Sequence, residues 1–327
     1  MMKHKENRKG FSRFFKGYSV KERRKFPFVY AIILLPVIQI AVFFFYVNFS
    51  SFALAFQDEY GRWSFDSIRR VIEAFANKGD RLGYNPLEML GKSITIWSLM
   101  HVVGFAVSIF TSYILTKHMV MSKFFRLIYQ IPGLVGAVVF STVMKEMYAY
   151  NGIIISLLKG IGIKLPPLAN RNGLLGAMET AFPTLMIQVF ILTIAGGNLI
   201  IASAYKKIPE EIFESAQLEG VGFFREVFQI AVPCIWPTIT TVTIFALCSV
   251  FTADYSMYLY SNGSGVNGMT SIGFYLYRYQ VAISTVADKT YLYGYVSAFG
   301  MFITLITLPV VLFGRWLLTH KQEEVGF

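Results

Sequence analysis

Long stretches without a charge alternate with short polar connections along this chain. Phe28–Phe49 (22 residues), Ile94–Thr116 (23), Leu127–Met144 (18), Ala181–Ala204 (24), Ile230–Thr252 (23) and Tyr293–Gly314 (22) contain no Lys, Arg, Asp or Glu. Crossing a hydrocarbon core takes about 20 apolar residues at about 1.5 Å each. The pattern therefore predicts an all-α membrane protein with six transmembrane helices. Runs this long lack the in–out alternation of a barrel strand, and helices or closed barrels are the structures that satisfy the backbone in lipid.

Polar punctuation divides the chain into a basic segment 1–27, a first helix 28–49, an outer loop 50–92, a membrane core 93–318 with inner short helices at 208–229, and a tail 319–327. The length of 50–92 leaves the first helix free to sit apart from the rest. An amphipathic helix is expected near Phe65–Ala76. Ile153–Leu158 is too short to span and reads as an interfacial helix. The stretch 254–292, rich in Gly, Ser and Tyr, is expected outside, with Tyr275, Tyr277, Tyr279, Tyr291, Tyr293 and Tyr295 as interface anchors.

Composition agrees. Of 327 residues, 55% are hydrophobic and 15% charged, where a soluble domain carries roughly 25% charged residues. Soluble domains, a disordered chain and a disulfide scaffold are excluded. The net charge of +11 is placed unevenly. Residues 1–27 hold ten Lys and Arg against Glu6 and Glu22, and the 117–126 connection holds Lys117, Lys123 and Arg126 with no acid. Basic flanks stay in the cytoplasm, so both termini are expected inside, N-in/C-in. Topology and anionic lipid account for these charges without nucleic acid. The first apolar run is too long for a signal peptide and no clear small-x-small cleavage site follows it, so it is read as a retained helix.

Several features are silent. Cys234 and Cys248 lie 14 residues apart on the fifth run, about 21 Å along a helix and too far to bridge. Gly91-Lys92-Ser93 imitates the end of a phosphate-binding loop, but Pro86 stands where that loop needs Gly, and a membrane helix follows. It reads as a helix start with a snorkelling lysine. His101 is the one ionisable residue in the six runs. Packing inside the bundle is the preferred reading over a proton relay, because no carboxylate accompanies it.

The informative stretch runs from Ile208 to Pro237. Pro209 suits a first helical turn, and Glu210 and Glu211 then meet the positive end of the helix dipole. Ile212, Phe213 and Ala216 form an apolar face, with Glu214 and Glu219 elsewhere. Gly220 and Gly222 permit a tight turn. A second short helix over Phe223–Gln229 leads to Pro233. The outcome is a helix–turn–helix between two membrane helices.

Here the sequence resembles the permease subunits of binding-protein-dependent, ATP-driven (ABC) importers of the type I, carbohydrate-uptake class. Their signature reads Glu-Ala-Ala, three residues, Gly, nine residues, Ile, one residue, Leu-Pro. This chain has Glu214-Ser215-Ala216, Gly220, Ile230 and Val232-Pro233 at those spacings, departing at Ser215 and Val232. Lys207-Ile208-Pro209-Glu210-Glu211 resembles the lead-in of carbohydrate permeases. Phe125-Arg126, Pro132, Asn151-Gly152 and Ala53–Asp58 resemble the family more weakly; the large outer insertion of the maltose permease's bigger subunit has no counterpart.

The resemblance implies that residues Pro209–Glu219 are a coupling helix docked in a groove of an ATPase, with Pro209, Glu210, Glu211, Glu214, Ser215, Ala216, Gly220, Ile230 and Pro233 as coupling residues. It implies a non-catalytic subunit with no cofactor of its own, ATP and Mg being held by the partner ATPase. The implied assembly is a heterodimer with a second permease subunit, two ATPases and an extracytoplasmic solute-binding protein in a prokaryotic plasma membrane. For the solute, hydroxyls, amides and aromatic rings suit a carbohydrate. Tyr148, Gln188, Asn198, Thr241, Asp254 and Tyr255 are the candidate path residues, weighed against ordinary packing by Thr and Gly. The alternative class is a stand-alone secondary carrier or channel, which calls for membrane acids or half-chain repeats.

Overall fold

The computed structural model describes residues 26–325 apart from 59, 78, 80–82, 118–120, 254–256, 261–269 and 286–289. All but the end of the basic segment 1–27 lies outside the described residues. The chain is helical nearly throughout. Among the described residues the isolated antiparallel bridge Gln57–Trp63 is the extended pairing present.

Helix α1 runs over Phe26–Gln39, through a wide π-helical turn at Ile40–Tyr46, to Val47–Ala55. Helix α2 is Asp66–Ala76. Helix α3 begins at Pro86–Ser98, passes a π-turn at Leu99–Gly104 and ends with Phe105–Lys117. Then follow α4 (Ser122–Leu134), α5 (Ala137–Met147), α6 (Ile153–Gly160), α7 (Pro167–Asn172) and the long α8 (Met178–Tyr205). Helix α9 is Glu210–Leu218. Helix α10 comprises Phe223–Glu226, a π-turn at Val227–Ala231 and Val232–Cys234. Helices α11 (Trp236–Ser249), α12 (Met257–Tyr260), α13 (Ile272–Thr285) and α14 (Thr290–Val325) complete the chain.

Four helices are long and apolar enough to cross a bilayer unbroken: Phe28–Ala55, Pro86–Lys117, Met178–Tyr205 and Leu292–His320. Two further spans are bent pairs. Ser122–Leu134 meets Val138–Met147 at 94°, and Phe223–Cys234 meets Trp236–Ser249 at 71°. Counting each pair once gives the six expected apolar spans. The third and fifth apolar runs are thus not straight helices. Pro132 withdraws a backbone donor, and the chain leaves helical geometry at Val135 (ψ 130°) and Gly136 (ψ 136°). In the fifth run Ile235 (φ −96°, ψ 6°) sits between Pro233 and Pro237. Pro237 has no N–H for the carbonyl of Pro233, so the ladder breaks there.

Helix α8 is the central post, packed along the second half of α3 and against α4. Helix α14 packs along α11 and takes the end of α1 and the face of α2 against it. Helix α1 is bare over its most apolar stretch, and among its described side chains Ala55 is the buried one.

Three apolar cores follow. One joins Ile96, Ile155, Leu185, Val189 and Phe274. A second joins Val71, Met89, Tyr275, Tyr295 and Phe299. A third, at the end of the bundle that carries α9, joins Tyr113, Ile201, Tyr205, Val227 and Ile235.

The segment 254–292, expected to be an outer connection, contains α13. Its residues 272, 275, 276 and 279 recur at helical spacing and face the second core. Three of the expected interface tyrosines are therefore core residues. Tyr275, Tyr279 and Tyr295 are buried, and the hydroxyls of Tyr275 and Tyr295 meet at 2.8 Å. Tyr277 packs on Tyr258 at 4.6 Å between ring centroids. Tyr293 is exposed, as an interface anchor should be; the side chain of Tyr291 lies outside the described residues. The glycine beside α13's start is required, because a Cβ on Gly273 would stand 2.5 Å from the carbonyls of Thr252 and Ala253.

The loop imitation at 91–93 is helical. Asn85 caps α3 by accepting from the Leu87 amide at 3.1 Å, Lys92 pairs with Glu88, and the Ser93 hydroxyl accepts from the Ile272 amide at 3.1 Å. His101 is stacked between Trp97 (5.3 Å) and Phe105 (5.4 Å) of its own helix. Cys234 and Cys248 are free thiols.

Candidate ATPase-coupling site

Residues 205–234 build one compact unit. The chain leaves α8 in a turn and enters α9 at Pro209, whose ψ of 136° is extended. Glu210 and Glu211 occupy the first turn, where the free amides carry partial positive charge. Helix α9 stops at Gly220, which takes φ +70°. The Gly220 amide donates to the Gln217 carbonyl and the Val221 amide to the Ala216 carbonyl, both at 3.0 Å. This double return bond is the helix ending that a left-handed glycine allows. Gly222 then leads into α10.

The two faces of α9 differ. Ala216 is buried and Phe213 half-buried against the bundle, whereas Glu210, Glu211, Glu214, Ser215 and Glu219 are exposed. Leu218 is 90% exposed, an apolar side chain held away from its own protein. Phe224 and Phe228 on α10 are also exposed. The free face thus mixes carboxylates with apolar groups. Ile212 turns instead toward a cavity of about 280 Å³ bounded by Ala204, Lys207, Pro209, Ile235 and Thr238. Ile230 and Pro233 fall in the π-turn of α10 and the turn after it, both half-buried.

Aromatic packing fastens the unit to the bundle. The Tyr113 ring of α3 lies 5.5 Å from Tyr205 of α8, 6.3 Å from Phe213 of α9 and 5.8 Å from Phe223 of α10. Phe110 meets Phe228 at 5.3 Å. Beside this cluster the Lys117 ammonium pairs with the Glu226 carboxylate and lies 3.8 Å over the Phe213 ring. Glu226 is 4% exposed. Arg126 of α4 donates to the Leu115 carbonyl (3.3 Å) and the Thr116 hydroxyl (3.2 Å). Sequence reasoning used Lys117 only as a topology marker and passed over Glu226. The available signal was a lone acid in a short apolar helix, which needs a buried partner.

Three of the six candidate path residues can be placed. Tyr148 and Gln188 are buried within the first core region, and burial pushes the Tyr148 phenol above its ordinary pKa. The Gln188 Oε1 has no hydrogen-bond partner among the described residues. Thr241 is exposed on α11 and donates to the Pro237 carbonyl at 2.9 Å. Asp254, Tyr255 and the side chain of Asn198 lie outside the described residues.

Comparison with solved structures gives a TM-score of 0.73, at 19% identity, with a bacterial ABC transporter involved in the import of the acidic polysaccharide alginate; 91% of this chain and 96% of that chain are covered. The fold is shared with that chain. A bacterial alginate ABC transporter in complex with an alginate pentasaccharide-bound periplasmic protein superposes at TM-score 0.74, again at 19% identity, covering 92% of this chain and 96% of that one.

In sequence the chain is similar to sugar-uptake permeases. It is 25% identical to the diacetylchitobiose uptake system permease protein NgcF of Streptomyces coelicolor, over 57% of this chain and 51% of that one. It is 26% identical to the multiple sugar-binding transport system permease protein MsmF of Streptococcus mutans, over 56% and 59%. The aligned part spans between half and three-fifths of these relatives. No family profile matches the chain.

Proposed function

We propose that this chain is the transmembrane permease subunit of an ATP-driven importer and forms half of the translocation path for a carbohydrate. The observation that carries this reading is α9. It is a short acidic helix, closed by a left-handed glycine, whose Phe213 and Ala216 turn to the bundle, Phe213 meeting Tyr113 and Lys117 of α3, while its outer face stays open. A connection that served only to join two spans would have no need of a helix fastened to α3 through Phe213, which meets the Tyr113 ring and lies under the Lys117 ammonium.

In this reading α9 rests in a groove of a partner ATPase, with Glu210, Glu211, Glu214 and Leu218 toward that partner. The α9 end of the bundle faces the cytoplasm. ATP and Mg are the partner's, and the chemistry they supply is hydrolysis. This chain contributes the lever: closure of the ATPases displaces α9, and the helices packed on it tilt to alternate access. A second permease subunit completes the path, and an extracytoplasmic binding protein delivers the solute in a prokaryotic plasma membrane. The carbohydrate assignment rests on the names of NgcF and MsmF and on the alginate transporter.

The test is purification from native membranes followed by reconstitution. Recovery of an ATPase with the chain, and ATP-dependent uptake from a panel of labelled di- and oligosaccharides, is the expected result. A chain that carries solute alone, driven by an ion gradient, would establish a secondary carrier instead.

A further inference from the structure

We propose that Lys117 and Glu226 form the joint through which movement of α9 and α10 enters α3, and that α3 carries it to α11 around the bend in the fifth span. This rests on the reading of α9 as the coupling helix and adds the route by which its motion leaves it.

The argument begins with the bend. Helices α10 and α11 meet at 71° at Ile235, between Pro233 and Pro237. A broken hydrogen-bond ladder transmits bending poorly, so α10 is a weak lever on α11 by direct continuity. Helix α9 and α10 are tied by the tight turn at Gly220–Gly222 and move together.

Both are attached to the end of α3 by charge as well as by rings. Lys117 there contacts both, pairing with Glu226 of α10 and covering the Phe213 ring of α9. The side chains are 20% and 5% exposed, so the pair is shielded from competing water. Aromatic contacts between the same elements can slide; a buried ion pair resists, since separation strands a charge in an apolar site.

Helix α3 is one unbroken span from Pro86 to Lys117, with the π-turn at Leu99–Gly104 inside it. Further along it Trp97 donates its indole N–H to the Ala246 carbonyl of α11 at 3.0 Å. Lys117 and Trp97 are 20 residues apart, about 30 Å of helix. The circuit α10–Lys117–α3–Trp97–α11 thus spans the break.

The test uses the complete complex with its ATPase, in a background with Cys234 and Cys248 replaced by Ser. Spin labels are placed at Leu87→Cys on α3 and Ile153→Cys on α6, both exposed. Distances are read by pulsed EPR without nucleotide and after trapping with ATP, Mg and vanadate.

The distance should shift on trapping in the parent. Glu226→Gln and Lys117→Met should hydrolyse ATP while losing the shift. Lys117→Arg, and the exchange Lys117→Glu with Glu226→Lys, should recover it. An unchanged shift in the single variants, or no shift in the parent, would overturn the joint. Loss of ATPase capture by the single variants would also overturn it, making the pair a folding element. A parent that captures no ATPase sinks the coupling reading itself, a separate outcome visible at purification.

Discussion

The Val221 amide donates to the Ala216 carbonyl at 3.0 Å, closing α9 on itself. That bond exists because Gly220 between them takes φ +70°, where an L side chain costs about 1–2 kcal/mol. No atom lies near the position of a Cβ on Gly220, so the penalty is backbone strain and not a clash. Gly220→Ala is expected to lower stability by about 1 kcal/mol with partial transport. Gly220→Trp should insert in membranes yet lose ATP-dependent uptake, because the turn and the open face are both altered. Normal uptake by the Trp variant would remove the turn from the mechanism.

Gln188 separates a structural from a transport role. Its Oε1 is buried without a partner among the described residues, and such a group destabilises the protein that holds it. Gln188→Leu should melt at the same or a higher temperature. If the amide bonds a solute hydroxyl when the path opens, the same variant should show reduced uptake. A variant that is more stable and equally active would make Gln188 a packing residue.

The hydroxyl pair Tyr275–Tyr295 joins α13 to α14 inside the second core. Each Tyr→Phe change should cost about 1 kcal/mol, and the double change less than the sum, with a coupling of about 0.5 kcal/mol or more in a thermal-melt cycle. Strict additivity would show that the two hydroxyls act independently.

Asp58 makes the connection after α1 sensitive to acid. Its carboxylate accepts from the Arg62 amide at 2.8 Å and the Tyr60 amide at 2.9 Å. The Arg62 amide first, then the Tyr60 amide and the Arg62 charge, hold its pKa below the usual carboxylate range. A lowered folded pKa means the turn is favoured above the usual value and loosens as pH falls through the lower one. Proteolysis at the exposed Trp63 should therefore rise in acid, tested with an acid-active protease that cuts beside aromatic residues and whose own pH profile is known. In Asp58→Asn it should be high and nearly flat with pH. A flat profile in the parent would contradict the assignment.

Much of this protein is written locally. Six charge-free runs give six apolar spans because a bilayer selects on length and composition alone. Ala216, Gly220 and the glutamates of α9 are readable because a capped helix is built from neighbours a few residues apart. The most specific part of the resemblance lies in that same short stretch.

What the sequence could not give depends on distant partners. Whether Pro132 or Pro237 bends a span, while Pro36 and Pro309 remain inside helices, turns on the backbone geometry and packing around each one. Tyr275 and Tyr295 read as interface residues because composition cannot tell an aromatic facing lipid from one facing α14. Lys117 and Glu226 are 109 positions apart, each unremarkable alone. Tertiary folding brings their charges together out of water, and that burial makes an ordinary basic flank and a lone acid into a fixed joint.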